Sequence, residues 1–233
     1  MPRRPRSDLA GFPLHVIQRG NNRAPCFLSD PDRLAYLGSL GRYALRHEVA
    51  VHAWVLMSNH VHLLLTAPAP ANVSRLLQAV GRSYVRRFND TYERSGTLWE
   101  GRFRACAVHA EDYLLACMRY IELNPVRAGL ADDPSNYRWS SYGGNALARE
   151  DPLLSEHALF LRLGRTPAER SRAYRELFQG QIAEGTLVEI RGATASGHLL
   201  ASKHTRREIE VSRGKLLGPA PIGRPRKVTG LFI

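Results

Sequence analysis

Two apolar runs, VAVHAWVLM at 49–57 and HVHLLLTA at 60–67, are separated by only Ser58 and Asn59. So short a polar break between β-prone runs predicts a hairpin, which commits the middle of the chain to an antiparallel sheet. Side chains on a strand alternate faces, so Val61, Leu63 and Leu65 share one face while His60 and His62 share the other. Two imidazoles about 6 to 7 Å apart along a strand can converge on one metal ion, because neutral imidazole is the commonest nitrogen ligand. They can equally be hydrogen-bonded polar residues on a half-exposed strand, and the spacing alone leaves both readings open.

The segments around this hairpin extend the pattern. PLHVIQR at 13–19 alternates well enough for a first strand and runs into GNNR, a loop rich in donors. Ser29 or Asp30 is placed to cap a helix with Pro31 in its first turn and Leu34, Leu37, Leu40, Ala44 and Leu45 as its apolar stripe. Asn72 is placed to cap a second helix, whose core face would be Val73, Leu76, Leu77, Val80, Tyr84 and Phe88. LWEGRFRACAV at 98–108 predicts a fourth strand. The order β, α, β, β, α, β defines an α+β fold of the ferredoxin-like (split βαβ) kind: one antiparallel sheet with two helices on one face and the other face free.

A third helix is expected over EDYLLACMRYIELN, 111–124, ended by Pro125. On it Tyr113, Cys117, Tyr120 and Asn124 form one stripe and Leu114, Met118 and Ile121 the adjoining apolar one, so Tyr120 and Asn124 are neighbours in space. The ordinary reading of that pair is a core tyrosine and a capping asparagine. Farther on, Thr166, Pro167 and Glu169 spell a capping box opening a helix to about Gln179, and a further helix is expected near 203–213. The divisions expected are residues 1–148 as the main domain, 149–218 as a mainly helical extension and 219–233 as a basic flexible tail.

Charge narrows the partner. Thirty-three Lys and Arg against 21 Asp and Glu leave a net charge of +12. Only Lys203, Lys215 and Lys227 are lysines, and arginine's planar fork suits phosphates and bases. Arg82, Arg86, Arg87, Arg102, Arg104 and Arg127 read as phosphate contacts, which position DNA without specifying its sequence. Arg224 and Arg226, in GRPRK, suit a narrow minor groove. The N-terminal MPRRPRSDLAG lacks the apolar core of a secretory signal, and no apolar run approaches a membrane span, so the expectation is a soluble cytoplasmic protein without a membrane partner. Cys26, Cys106 and Cys117 are too few and too scattered for a disulfide frame or zinc knuckle.

HVIQRGNNR at 15–23, MSNHVHLLL at 57–65, GTLWEGRFRA at 96–105, YIELNPVRAG at 120–129 and WSSY at 139–142 together resemble the REP-associated tyrosine transposases, single-tyrosine members of the HUH endonucleases. The resemblance covers about residues 12–145, in order and spacing. It implies the same ferredoxin-like fold, with the tyrosine helix near the sheet's second face. It also implies Tyr120 as nucleophile, His60 and His62 as metal ligands, and Asn124 as third ligand through its amide oxygen, where many relatives have glutamine or histidine. The cofactor implied is Mg²⁺ or Mn²⁺. The reaction implied is cleavage and rejoining of single-stranded DNA, through a 5′-phosphotyrosine intermediate, at hairpins of repetitive extragenic palindromes. Arg19, Asn21, Asn22 and Arg23 fall in the family's N-terminal motif and would read the single-stranded segment beside the hairpin. A small-molecule substrate is not expected, and a monomer is expected in preference to a homodimer. The rival is a domesticated relative that binds DNA hairpins without cutting them.

Overall fold

A computed structural model of the chain describes residues 10–214 and Leu217; the basic tail at 219–233, with Arg224 and Arg226, lies outside the described residues. Four strands, β1 (Leu14–Arg19), β2 (Ala50–Leu56), β3 (His60–Thr66) and β4 (Arg104–Ala107), form a sheet in the order β2-β3-β1-β4. Every neighbouring pair is antiparallel. With α1 (Asp30–Arg46) and α2 (Pro70–Thr91) inserted as expected, this is the ferredoxin-like arrangement.

The two helices pack on one face because both present apolar stripes to it. Val73, Leu76, Leu77, Val80, Tyr84 and Phe88 of α2 are buried against Val16 of β1 and Val61, Leu63 and Leu65 of β3. Ser29 caps α1 in a capping box with Asp32, whose carboxylate also accepts a 2.8 Å bond from the Tyr92 hydroxyl. The stripe on α1 differs from expectation: Leu34 and Leu45 are exposed, and the buried apolar positions are Tyr36, Leu40 and Ala44. A tyrosine wins the core position because its ring stacks edge-on to Phe27 and Tyr84. Asn72 does not cap α2. The helix starts two residues earlier at Pro70, and the Asn72 amide donates instead to the His47 carbonyl at 2.9 Å. The fourth strand is shorter than expected, because Gly101 turns the chain at a positive φ of 74° just before it.

The sheet's second face, expected to be free, is covered. The helix α3 (Ala110–Glu122) lies across it, and α4 (Asn124–Arg127) follows as a single turn that contains Pro125. Then come α5 (Tyr142–Leu147), α6 (Ala158–Leu161), α7 (Pro167–Glu176), α8 (Glu184–Ser196) and α9 (Lys203–Arg213). The Thr166–Glu169 capping box opens α7 as expected, whereas α8 was not foreseen. A second core joins Ala53, Val55, Leu64 and Cys106 of the sheet to Leu114, Cys117, Met118 and Ile121 of α3. The same core takes in Phe160, Tyr174, Leu187, Ile190 and Ala193, so it continues without a break across residue 148. Among the described residues no helix is long and apolar enough to cross a membrane.

Glu122, at the end of α3, is fully buried in this region. It accepts bonds from Ser141 Oγ at 2.6 Å, Asn145 Nδ2 at 2.7 Å and the Tyr174 hydroxyl at 2.9 Å. This knot ties the tyrosine helix to α5 and α7. Burial outweighs the three donors and pushes the carboxyl up to about 7. Because the folded state then binds the proton more tightly than the unfolded chain, the stabilisation is complete below about pH 4.5 and is lost as pH rises through about 7. The expected loss is about 3 kcal/mol at most. Glu122→Gln, which keeps an acceptor for Ser141 and Asn145, should flatten that slope; urea midpoints compared at about pH 5 and about pH 8 check it, and equal slopes in both proteins would refute it.

Candidate active site

Strand periodicity and register assemble the floor of a cleft. On β1, Ile17 and Arg19 face the same side as His60 and His62 on β3, with Ile17 opposite His62 and Arg19 opposite His60. Arg104 on β4 lies opposite Ile17 and completes the row. The cleft encloses about 290 Å³ and is lined by these residues together with Glu100, Arg102, Tyr120, Asn124, Arg191, Thr194 and Ala195. Five parts of the chain distant in sequence therefore meet here: β1, the hairpin, the segment that runs into β4, the tyrosine helix with the turn after it, and α8.

Tyr120 is nearly buried, at 7 % exposure, and its ring stands edge-on to His15 at 5.7 Å and to His62 at 6.0 Å between centroids. It is therefore a core residue by burial and a cleft residue by position. Asn124 combines two roles in the same way. Its amide nitrogen donates to the carbonyls of Tyr120 at 3.0 Å and Ile121 at 3.2 Å, as a C-terminal cap would. Both amide hydrogens are thus committed to the end of α3, and Oδ1 is what the side chain can offer to the cleft.

The imidazoles are held in defined orientations. His60 Nδ1 lies 2.6 Å from Asn59 Oδ1, while the Asn59 amide nitrogen donates to the Arg23 carbonyl at 3.0 Å. An amide oxygen only accepts, so His60 carries its proton on Nδ1 and turns the Nε2 lone pair outward. His62 Nδ1 lies 2.9 Å from Nε2 of His15, a buried residue on β1. His15 faces Leu64 in the strand register, so His62 is its diagonal neighbour, within reach across an antiparallel pair. Burial lowers all three imidazoles: His15 to about 3, helped by the Arg127 charge, His60 to about 4, helped by Arg19, and His62 well below its ordinary value. All are neutral near pH 7, the form that binds metals.

His60, His62 and the Asn124 amide oxygen fit a divalent ion that prefers nitrogen and oxygen donors, as Mn²⁺ does more readily than Mg²⁺. Among the described residues no three His, Cys, Asp or Glu side chains cluster so as to hold a metal. The donor set for such an ion would be two imidazoles and an amide, with the Glu100 carboxylate also in the lining of the cleft.

The remaining residues expected at a DNA site separate into groups. Arg19, Arg102 and Arg104 line the cleft. Asn21, Asn22 and Arg23 form a 3-10 turn at the His60 end of the sheet, pinned by Asn21 N–H to the Leu98 carbonyl and Gly20 N–H to the Asn59 carbonyl, each 2.8 Å. Gly20 is required there by contact: a Cβ would lie 2.2 Å from the Ala24 carbonyl oxygen. Asn22 and Arg23 both adopt positive φ, 51° and 59°, a strained pair that turns their side chains out of the strand line. Arg127 lays its guanidinium 4.2 Å from the centre of the Tyr120 ring and donates to the Tyr120 carbonyl at 2.6 Å, so it braces the tyrosine. Arg82, Arg86 and Arg87 are exposed on α2, in the layer across the sheet from the cleft, and are not brought to it. Two aromatic side chains outside that set, Trp99 and Trp139, are buried in the core beneath the α1–α2 layer. His15, Glu100, Arg191 and Thr194 belong to the site without having been singled out in the sequence; of these, His15 and Glu100 carried a signal, by lying in the HVIQRGNNR and GTLWEGRFRA segments.

The fold is similar to that of a solved REP-associated tyrosine transposase bound to a REP hairpin, with a TM-score of 0.55 at 18% identity over 67% of this chain and 93% of that one. A candidate transposase from Deinococcus radiodurans R1 matches over 52% of this chain and 96% of its own at 20% identity, with a TM-score of 0.37, too low to bear on the fold. No curated protein matches the chain at a significant level. Residues 9–124, which span the sheet, both histidines, Tyr120 and Asn124, match the family described as transposase IS200 like, and the chain belongs to that family.

Proposed function

We propose that this transposase cuts and rejoins single-stranded DNA beside hairpins of repetitive extragenic palindromes, with Tyr120 as the nucleophile. What carries the reading is the convergence of one phenol, two neutral imidazoles, an amide oxygen and four guanidinium groups in one cleft of one chain. The Tyr120 oxygen attacks phosphorus, the bond from phosphorus to the 3′ oxygen breaks, the phenol proton is given up and the departing 3′ oxygen takes one on. A 5′-phosphotyrosine and a free 3′-OH result, and the ester energy is kept for rejoining. A divalent ion, Mg²⁺ or Mn²⁺, held by His60, His62 and Asn124 would polarise the phosphate and offset its charge. Arg19, Arg102, Arg104 and Arg191 hold the flanking phosphates, and Arg127 fixes the Tyr120 ring. Asn21, Asn22 and Arg23 are placed to read unpaired bases beside the hairpin stem.

The hairpin substrate is favoured by the fold likeness to a relative solved on a REP hairpin. A monomer is favoured because Tyr120 meets the imidazoles within one chain. A labelled hairpin with a single-stranded flank, incubated with the protein and Mn²⁺ and run under denaturing conditions, should yield a covalent protein–DNA band. Tight binding without that band would favour the non-cutting reading.

A further inference from the structure

We infer that Thr194, on helix α8, and His15 form a hydrogen-bonded relay that holds His62 in its Nδ1–H tautomer, with the Nε2 lone pair turned to the cleft. The assignment follows from counting protons. Thr194 Oγ1 donates its one hydrogen to the Ile190 carbonyl at 2.8 Å, the back-bond of a threonine inside a helix. Toward His15 Nδ1, 3.0 Å away, the hydroxyl can then only accept, so His15 must carry its hydrogen on Nδ1. A neutral imidazole has one N–H, which leaves His15 Nε2 as an acceptor 2.9 Å from His62 Nδ1. His62 therefore donates from Nδ1. Cys106, opposite His15 on β4, sits 3.5 Å from the same hydroxyl and donates its S–H there.

The relay gives α8 a part in the chemistry that its sequence does not advertise. His60 is fixed locally by Asn59, the residue beside it, whereas His62 is fixed by a partner 47 residues away and, through it, by one 179 residues from His15. Outer partners of metal-binding imidazoles change metal affinity by roughly 10- to 100-fold when removed. Thr194 and His15 are thus positioning residues, and this consequence rests on the metal reading above.

The test uses the full chain. In metal-free, ¹⁵N-labelled protein, imidazole spectra should show His62 protonated at Nδ1 and bare at Nε2. Thr194→Val should mix the two tautomers of His62 and weaken Mn²⁺ binding, read by titration, by about tenfold or more. Thr194→Ser should restore both. A wild-type spectrum with His62 protonated at Nε2 overturns the relay without any variant, and so does a folded Thr194→Val protein with unchanged tautomer and Mn²⁺ affinity. If the wild type binds no Mn²⁺, the metal reading falls, while the spectra still decide the relay.

Discussion

Tyr120→Phe is expected to abolish the covalent protein–DNA adduct while hairpin affinity stays within about twofold of wild type, well under 1 kcal/mol. The substitution removes one oxygen and little else. The ring keeps its edge-on contacts with His15 and His62 and its place beneath the Arg127 guanidinium. No new cavity opens, so the fold should survive. The nearest hydroxyl on the same helical stripe, Tyr113, is already bonded to Glu189 on α8 and does not line the cleft. That stripe therefore offers no substitute nucleophile, and the Thr194 hydroxyl that lines the cleft has its hydrogen committed to the Ile190 carbonyl. The adduct assay on equal amounts of both proteins decides it: a band of undiminished intensity from the phenylalanine protein would remove Tyr120 from the mechanism.

His60→Ala and His62→Ala should each lower Mn²⁺-dependent cleavage by about a thousandfold or more, roughly 4 kcal/mol of barrier. The two differ in side effects. His60 is half-buried and its neighbour Asn59 can turn to solvent, so its loss should cost little stability. His62 is 4 % exposed, and removing it strands a buried nitrogen of His15, at about 1 to 3 kcal/mol. Cleavage rates across a Mn²⁺ series, with melting curves for both variants, separate lost chemistry from lost fold. Wild-type rates in either folded variant would dismiss the metal site.

What could be read from residue order was what depends on local periodicity. The hairpin, the face shared by His60 and His62, the buried stripe of α2 and the adjacency of Tyr120 and Asn124 all follow from periods of 2 or 3.6, and the structure keeps them. What could not be read depends on distant packing. Helix α8, EGTLVEIRGATAS, has two glycines and several β-branched residues and no clear apolar stripe. Its helicity comes from the core it joins. His15 was not singled out because its partners, His62 and Thr194, are remote in sequence. Leu34 and Leu45 were assigned to a core face that Tyr36 and its aromatic neighbours occupy, since periodicity does not say which of two overlapping stripes meets the sheet. The tyrosine helix was expected near the second sheet face, but the share that α8 takes in covering that face was invisible for the same reason.

That covering has an evolutionary consequence. Because the apolar interior behind Tyr120 is built in part from Phe160, Tyr174, Leu187 and Ile190, the stretch from α6 to α8 is not a cassette that recombination can swap or shed. It must co-vary with the helix that carries Tyr120, so drift there is felt in the cleft beside the imidazoles.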